Sequence, residues 1–313
     1  MLDVRRLKIL VILATLLVTG QSLWTQEIPE FDGERSFSYL EDQCDFGPRN
    51  PGSAGHSDCL EYIKNHLQQL ADSVVTQTFS YVDPYGGETW ELSNIIAQFR
   101  PELQERIWIA AHWDTRPWAD RDRNRQYRKT PILGANDGAS GVAVLMELAN
   151  HLNSDSPPVG IDLVFLDGED LGKSGDLEYF CNGSRYLARN IPVNRPEYCI
   201  VIDMVGDADL VLPMEWNSIR QAPQLVWQLW DEAEKLGLSA FKSRRGQPVE
   251  DDHVVLYNEA GIPSVDIIDF EYPNRYRNYW HTLEDTPEKC SAESLWQVGT
   301  LLINHIYEKG KDK

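Results

Sequence analysis

The sequence has 313 residues, 42% of them hydrophobic and 25% charged, which is ordinary for a globular protein and excludes a fibrous or disordered chain. Its 29 basic and 49 acidic side chains leave a net charge of −20, which argues against nucleic-acid binding because that function needs a basic face. The length is enough for one large α/β domain or two small ones.

A targeting segment is predicted at the start of the chain. Arg5, Arg6 and Lys8 precede an apolar run from about Ile9 to Val18, and small residues follow that run. The run has the length of a secretory signal and is short for a membrane-spanning helix. We expect residues 1–22 to form a signal peptide, with a membrane anchor as the alternative, and the protein to be periplasmic or secreted.

After this segment, predicted strands alternate with predicted helices. Helices are predicted at 34–44, 55–71, 138–152, 218–236 and 292–308, and strands at 74–81, 92–99, 106–111, 161–166, 199–202 and 264–268. Several strands are apolar throughout, which is typical of a sheet covered on both faces. We therefore expect an α/β fold: a single catalytic domain over residues 30–313, with a largely parallel, mixed and twisted sheet between helices.

Polar side chains suited to metal binding follow the predicted strands. Ligands bind beyond the carboxyl ends of strands in such sheets. Each group alone has an ordinary explanation, such as a helix cap, an acidic turn or a solvated face. Six groups at successive strand ends, with carboxylate and imidazole types, together predict a zinc site. These groups are His112 with Asp114, Asp137, Glu169 with Asp170, Asp203, Asp251, and His281 beside Trp280.

The remaining histidines and the cysteines give weaker signals. His56, His66, His151 and His305 lie in predicted helices or turns, and we expect them to pack or to face solvent. The five cysteines contain no CxxC pair, so a thiolate zinc site is not predicted. Export permits disulfides, but the sequence does not assign their pairing, and an odd count leaves at least one thiol without an intrachain partner.

The ordered pattern of these groups resembles that of the zinc-dependent aminopeptidase clan. Within the clan, the chain is more similar to the animal-type glutaminyl cyclases and their bacterial relatives. The likeness covers residue 34 to the C-terminus. The segments that carry it are Ala111–Asp114, Glu250–His253, Ala260–Pro263 and Trp280–Thr282.

This resemblance implies one zinc ion, held by Asp137, Asp170 and His281, with water or substrate in the fourth position. A zinc aminopeptidase is the alternative, and it would bind a second zinc ion through His112 and Asp203. A non-catalytic binding protein with the same fold is the third possibility.

The resemblance also implies the catalytic roles. Glu169 would be the general acid and base, in a carboxylate network with Asp203 and Asp251. Trp280 would line the substrate pocket, and Phe180 would take the place of a tryptophan found in the animal enzymes. The implied reaction converts the N-terminal glutamine of a peptide or protein into pyroglutamate and ammonia. No stable protein partner is predicted.

Overall fold

A computed structural model describes residues 28–309 of the chain. The signal peptide or anchor expected at residues 1–22 lies outside this part. Within residues 28–309, no helix combines the length and the apolar composition that crossing a membrane requires.

Helices and strands alternate along most of the described chain. The α-helices are α1 Gly33–Asp45, α2 Ala54–Gln68, α3 Ala139–Ser154, α4 Asn182–Arg189, α5 Trp216–Gln221, α6 Pro223–Lys235, α7 Asp252–Ala260 and α8 Ala292–Glu308. The strands are β1 Ser73–Val82, β2 Thr89–Phe99, β3 Arg106–His112, β4 Gly160–Leu166, β5 Cys199–Asp203, β6 Leu212–Met214, β7 Phe241–Arg245, β8 Ser264–Ile268, β9 Pro273–Asn274 and β10 Arg277–Asn278.

The central sheet has six strands in the order β1-β2-β4-β3-β5-β8. Strands β4, β3, β5 and β8 run parallel, while β1 and β2 pair antiparallel at one edge. Successive side chains of a strand point to opposite faces, so the two faces of the sheet contribute to two apolar cores. Ile107 and Ile109 face the larger core with α1, α3 and α8, and Trp108 and Ala110 face the smaller one with α4 and α7. The prediction of a largely parallel mixed sheet with helices on both faces is confirmed.

A buried ion pair joins the two central strands. Arg106 of β3 donates two hydrogen bonds to Asp162 of β4, at 2.9 and 2.7 Å, and the indole of Trp108 donates a third at 2.8 Å. Both charged side chains are fully buried. Burying a charge is costly unless it is paired and hydrogen-bonded, so this network favours the observed alignment of β3 and β4.

The prediction of one continuous helix over 218–236 is wrong. The chain forms α5 and α6 there, with a break at Ala222, whose φ of −144° and ψ of 59° are not helical. Pro223 causes the break, because a proline disfavours the helical conformation in the residue before it. The apolar spacing of the segment continues across the break, which is why it predicts one helix. The small parallel pair β6 and β7 was not predicted from the sequence.

All five cysteines lie in the described part of the chain, and all are buried free thiols.

Candidate metal centre and active site

The carboxyl ends of β3, β4, β5 and β8 meet at one edge of the sheet. The loop after β3 leads to Asp137 at the start of α3, and β4 leads directly into Glu169 and Asp170. Asp203 is the last residue of β5, and His281 lies in the loop that follows β8. The parallel topology therefore gathers side chains that are far apart in the sequence.

Asp137, Asp170 and His281 form a buried group whose ligand atoms all lie within 4.8 Å of one another. The Nε2 atom of His281 is 3.5 Å from Oδ2 of Asp137 and 3.3 Å from Oδ1 of Asp170. Oδ2 of each aspartate is buried without a hydrogen-bond partner. Buried oxygens without donors are costly unless a cation satisfies them, and this donor set suits zinc.

His112, Asp137 and Asp203 form a second group of the same kind, which shares Asp137 with the first. Nε2 of His112 is 3.3 Å from Asp137 and 3.2 Å from Asp203. Burial lowers the pKa of His112, but hydrogen bonds to Asp114, Asp137 and Asp203 outweigh that effect and raise it well above its usual value. The residues that a second metal ion would need are thus also in place.

Residues outside the predicted set hold the candidate metal ligands in position. Arg116 donates to Asp170 at 2.6 Å and makes two hydrogen bonds to Asp120, whose carboxylate lies 3.5 Å from Nδ1 of His281. Asp285 accepts hydrogen bonds from the backbone N–H groups of residues 136 and 137. These contacts orient the ligands, as outer partners do in metal sites. None of these contacts was predicted from the sequence.

Asp114 supports the turn that carries Glu169 and Asp170. Its carboxylate accepts the backbone N–H of Glu169 at 3.0 Å and that of Asp170 at 3.3 Å. Gly168, with φ of 71°, begins this turn in the left-handed region. The turn directs the Asp170 side chain to the metal group, and the Glu169 side chain lies with Cys181 and Asp251.

The carboxylate of Glu169 is half-buried beside the metal group. The thiol of Cys181 lies 3.3 Å from its Oε1, and a carboxylate oxygen of Asp251 is within 4.8 Å of both. Burial raises the pKa of Glu169 well above its ordinary range, and the negative charges of nearby aspartates add to the effect, while His112 opposes it. A raised pKa of this kind is common among carboxyls that act as general acids or bases.

Asp251 and Asp203 occupy different places around Glu169. Asp251 is the N-cap of α7 and accepts the backbone N–H of Asp252 at 2.6 Å. Burial and the charge of Asp203 raise the pKa of Asp251 to about 6. Asp203 contacts His112 instead, at 3.2 Å. The structure thus places Asp251 next to Glu169 and joins Asp203 to the group through His112.

A cavity of about 270 Å³ opens onto the metal group. The aromatic ring of Trp280 lies 3.8 Å from the ring of His281, centroid to centroid, and both Trp280 and Phe180 line the cavity. The lining also includes Asp137, Glu169, Asp170, Asp203, Glu250, Asp251, Arg121, Leu177, Val249, Ile268 and Phe270. An apolar wall with converging carboxylates is suited to a small cationic or amide-bearing ligand.

Four histidines lie away from this cavity and make other contacts. His56 stacks on Trp113 at 4.4 Å and contacts Asp167, and His66 lies 3.0 Å from the backbone oxygen of residue 146. His151 pairs with a glutamate of its own helix, and His305 contacts Tyr198.

Comparison with known proteins places the chain in a family. The model of peptidase family M28 matches residues 94–306. A glutaminyl cyclase from Porphyromonas gingivalis has a TM-score of 0.86 at 36% identity, over 90% of this chain and 99% of that chain. A Bacteroides thetaiotaomicron protein described as a leucine aminopeptidase precursor has a TM-score of 0.85 at 37% identity, over 90% and 98%.

Among curated proteins, the glutaminyl-peptide cyclotransferase of Gloydius blomhoffii is 28% identical over 299 residues, which is 83% of this chain and 77% of the relative. The chain therefore belongs to peptidase family M28, where glutaminyl cyclases are among its relatives.

Proposed function

We propose that this protein is a zinc-dependent glutaminyl-peptide cyclotransferase. It would convert the N-terminal glutamine of a peptide or protein into pyroglutamate and release ammonia. The observation that carries the proposal is the position of Glu169, whose raised-pKa carboxyl shares one cavity with the three metal-binding side chains. The glutaminyl cyclases among the relatives support the same reaction.

Asp137, Asp170 and His281 would hold the zinc ion and leave one coordination position open. When bound, the ion supplies Lewis-acid polarisation of a carbonyl oxygen. Two carboxylates and one imidazole nearly neutralise the dication, so no additional counter-charge is required.

Glu169 would act first as the general base and then as the general acid of the reaction. Its carboxylate would accept a proton from the neutral α-amine of the substrate as the amine nitrogen forms a bond to the side-chain δ-carbon. The bond from that carbon to the amide nitrogen breaks, and the proton returns from Glu169 to the departing ammonia. The cavity walls formed by Trp280 and Phe180 would hold the glutamine folded for ring closure, which makes the attack intramolecular.

A zinc aminopeptidase is the second candidate, and two observations favour it. His112, Asp137 and Asp203 could hold a second metal ion beside the first, and Glu169 would then activate a water molecule instead of an amine. The similarity to a protein described as a leucine aminopeptidase precursor points the same way.

A single assay separates the two candidates. The protein is incubated with a dipeptide amide that begins with glutamine, and the products are analysed by mass spectrometry. Release of ammonia, with loss of its mass from the peptide and without free glutamine, supports the cyclase. Free glutamine would contradict it. A zinc measurement on the same protein gives a second criterion, since one ion per chain is expected for the cyclase and two for the peptidase.

We also propose that the protein is exported to the periplasm or the medium. The basic residues and the apolar run at the start of the chain support this proposal. N-terminal sequencing of the protein isolated from its source cells tests it, because a mature chain that still begins at Met1 would contradict cleavage of a signal peptide.

A further inference from the structure

A strongly basic segment lies beside the active-site cavity of this acidic protein. Residues 121–129, named here the basic loop, contain five cations in a chain whose net charge is −20. These cations are Arg121, Arg123, Arg125, Arg128 and Lys129, and all are exposed. Among the described residues, none of them pairs with a carboxylate; Arg128 instead donates to the backbone oxygen of Asp122 at 2.7 Å. The loop therefore presents uncompensated positive charge.

The basic loop is fixed against the metal centre. A backbone hydrogen bond of 2.7 Å from Ala119 to Thr130 closes its base. The backbone N–H of Arg121 donates to the carbonyl oxygen of the metal-binding residue His281 at 3.1 Å, and the Arg121 guanidinium lies 4.9 Å from the ring of Trp280. The positive charges are thus held at a defined distance from the site of reaction.

A groove lies beside the active-site cavity, along this loop. A cavity of about 600 Å³ is lined by Arg128 and Lys129 on one side and by Lys173 on the other. Ser174 lines both this groove and the active-site cavity, so the two lie next to each other. Asp120 also borders the groove, but two hydrogen bonds from Arg116 occupy its carboxylate. The free charges of the groove are therefore positive.

The two cavities differ in the sign of their charge. Carboxylates dominate the active-site cavity, which suits the positive N-terminus of a peptide, while lysine and arginine border the groove. A peptide whose first residue occupies the active site would pass Ser174 and enter the groove. An extended chain advances about 3.3–3.6 Å per residue, so roughly the second to fourth residues would lie there.

We propose that this groove binds acidic side chains at the second to fourth positions of the peptide, so that the preferred substrates carry aspartate or glutamate shortly after the N-terminal glutamine. The inference rests on the proposed cyclase function. The substrate class that it names is peptides with an acidic N-terminal region. The metal centre alone does not select this class.

The test compares three peptide amides of equal length that begin Gln-Glu-Glu, Gln-Ala-Ala and Gln-Lys-Lys. Values of kcat and KM are measured from ammonia release at low salt. Because each exposed ion pair changes binding by less than about tenfold, we expect about a tenfold range in kcat/KM, with the acidic peptide best and the basic peptide worst. The range should appear in KM and should shrink at high salt, where charges more than a few ångströms apart are screened.

Two double variants locate the effect. Lys129→Glu with Lys173→Glu places negative charge on both walls of the groove, and it should reverse the order of the three peptides. Arg123→Glu with Arg125→Glu makes the same change in net charge, in this case within the basic loop alone, but neither residue lines the groove. This control should keep the original order. Equal reversal by both variants would assign the preference to the charge of the whole molecule and overturn the proposal.

The outcomes separate the inference from the function on which it rests. Conversion of all three peptides with equal kcat/KM in the wild-type protein would reject the acidic subsite and leave the cyclase function intact. Absence of ammonia release from every peptide would reject the function itself. A preference for the basic peptide would overturn the inference directly.

Discussion

The thiol of Cys181 lies 3.3 Å from the carboxylate oxygen Oε1 of Glu169. Cys181 is buried, and its backbone N–H also donates to the carbonyl oxygen of Glu169 at 2.8 Å. Burial and the neighbouring carboxylate raise the pKa of the thiol well above its usual value, so the sulfur keeps its proton and can donate it. Cys181 thus positions the residue that would transfer protons.

Replacing Cys181 with alanine should lower kcat and leave KM nearly unchanged. The loss should be roughly tenfold, because a hydrogen bond to a charged group contributes about 1.5–3 kcal/mol and a thiol is a weak donor. Cys181→Ser should recover most of the rate, since a hydroxyl donates to the same carboxylate. Steady-state kinetics on a peptide that begins with glutamine measure both effects.

Cys59→Ala is the matched control, because Cys59 is also buried but lies on α2, in the core on the other side of the sheet. It should keep the wild-type kcat. If Cys181→Ala kept the wild-type kcat, or if serine failed to restore it, Cys181 would be a packing residue only.

Replacing Glu169 with glutamine should abolish turnover while zinc stays bound. The variant keeps the size of the side chain and removes its ability to accept a proton, and general acid–base catalysis contributes about 10²–10⁴-fold to a rate. Ammonia release and zinc content measured on the same preparation test the prediction. Loss of zinc would mean that Glu169 is a ligand, and a near-normal rate would remove it from the mechanism.

Replacing Arg116 with methionine should weaken zinc binding without removing a ligand. Arg116 is buried and bonds to Asp170 at 2.6 Å, and its loss leaves that carboxylate free to turn away. Loss of an outer partner typically costs about 10–100-fold in metal affinity. Competition with a chromogenic chelator measures the dissociation constant, and an unchanged value would contradict the assigned role.

Replacing Arg106 with methionine should destabilise the fold by about 3–5 kcal/mol, because Asp162 would remain buried without its cation. The free energy of unfolding in urea measures this. Lys64→Met is the comparison, since Lys64 pairs with the exposed Glu61 and such surface pairs contribute about 0–1 kcal/mol. Similar losses of unfolding free energy in the two variants would contradict the claim that burial makes the Arg106–Asp162 pair costly to break.

The sequence predicts the sheet and the polar residues that gather at its edge, for a physical reason. Buried parallel strands such as β3 and β4 must be apolar throughout, and the polar residues that end them stand out. Pro223 shows the limit of apolar spacing, because the periodicity runs through a break that the backbone cannot avoid.

The supporting residues of the site were not predictable in the same way. Arg116 and Cys181 carry no spacing that links them to Asp170 or Glu169, and they meet those residues only through loop geometry. The groove beside the basic loop depends in turn on where Lys173 and Lys129 come together, although the charge of the loop itself is visible in the sequence.

The backbone hydrogen bond between Ala119 and Thr130 brings both ends of the basic loop to one point of the scaffold. Side chains of the basic loop can be exchanged while the backbone hydrogen bonds that anchor it stay the same. Relatives that share the residues at the sheet edge but differ in this loop are therefore expected to prefer different peptides. Transferring the loop from one family member to another should transfer the peptide preference and leave the catalytic residues unchanged.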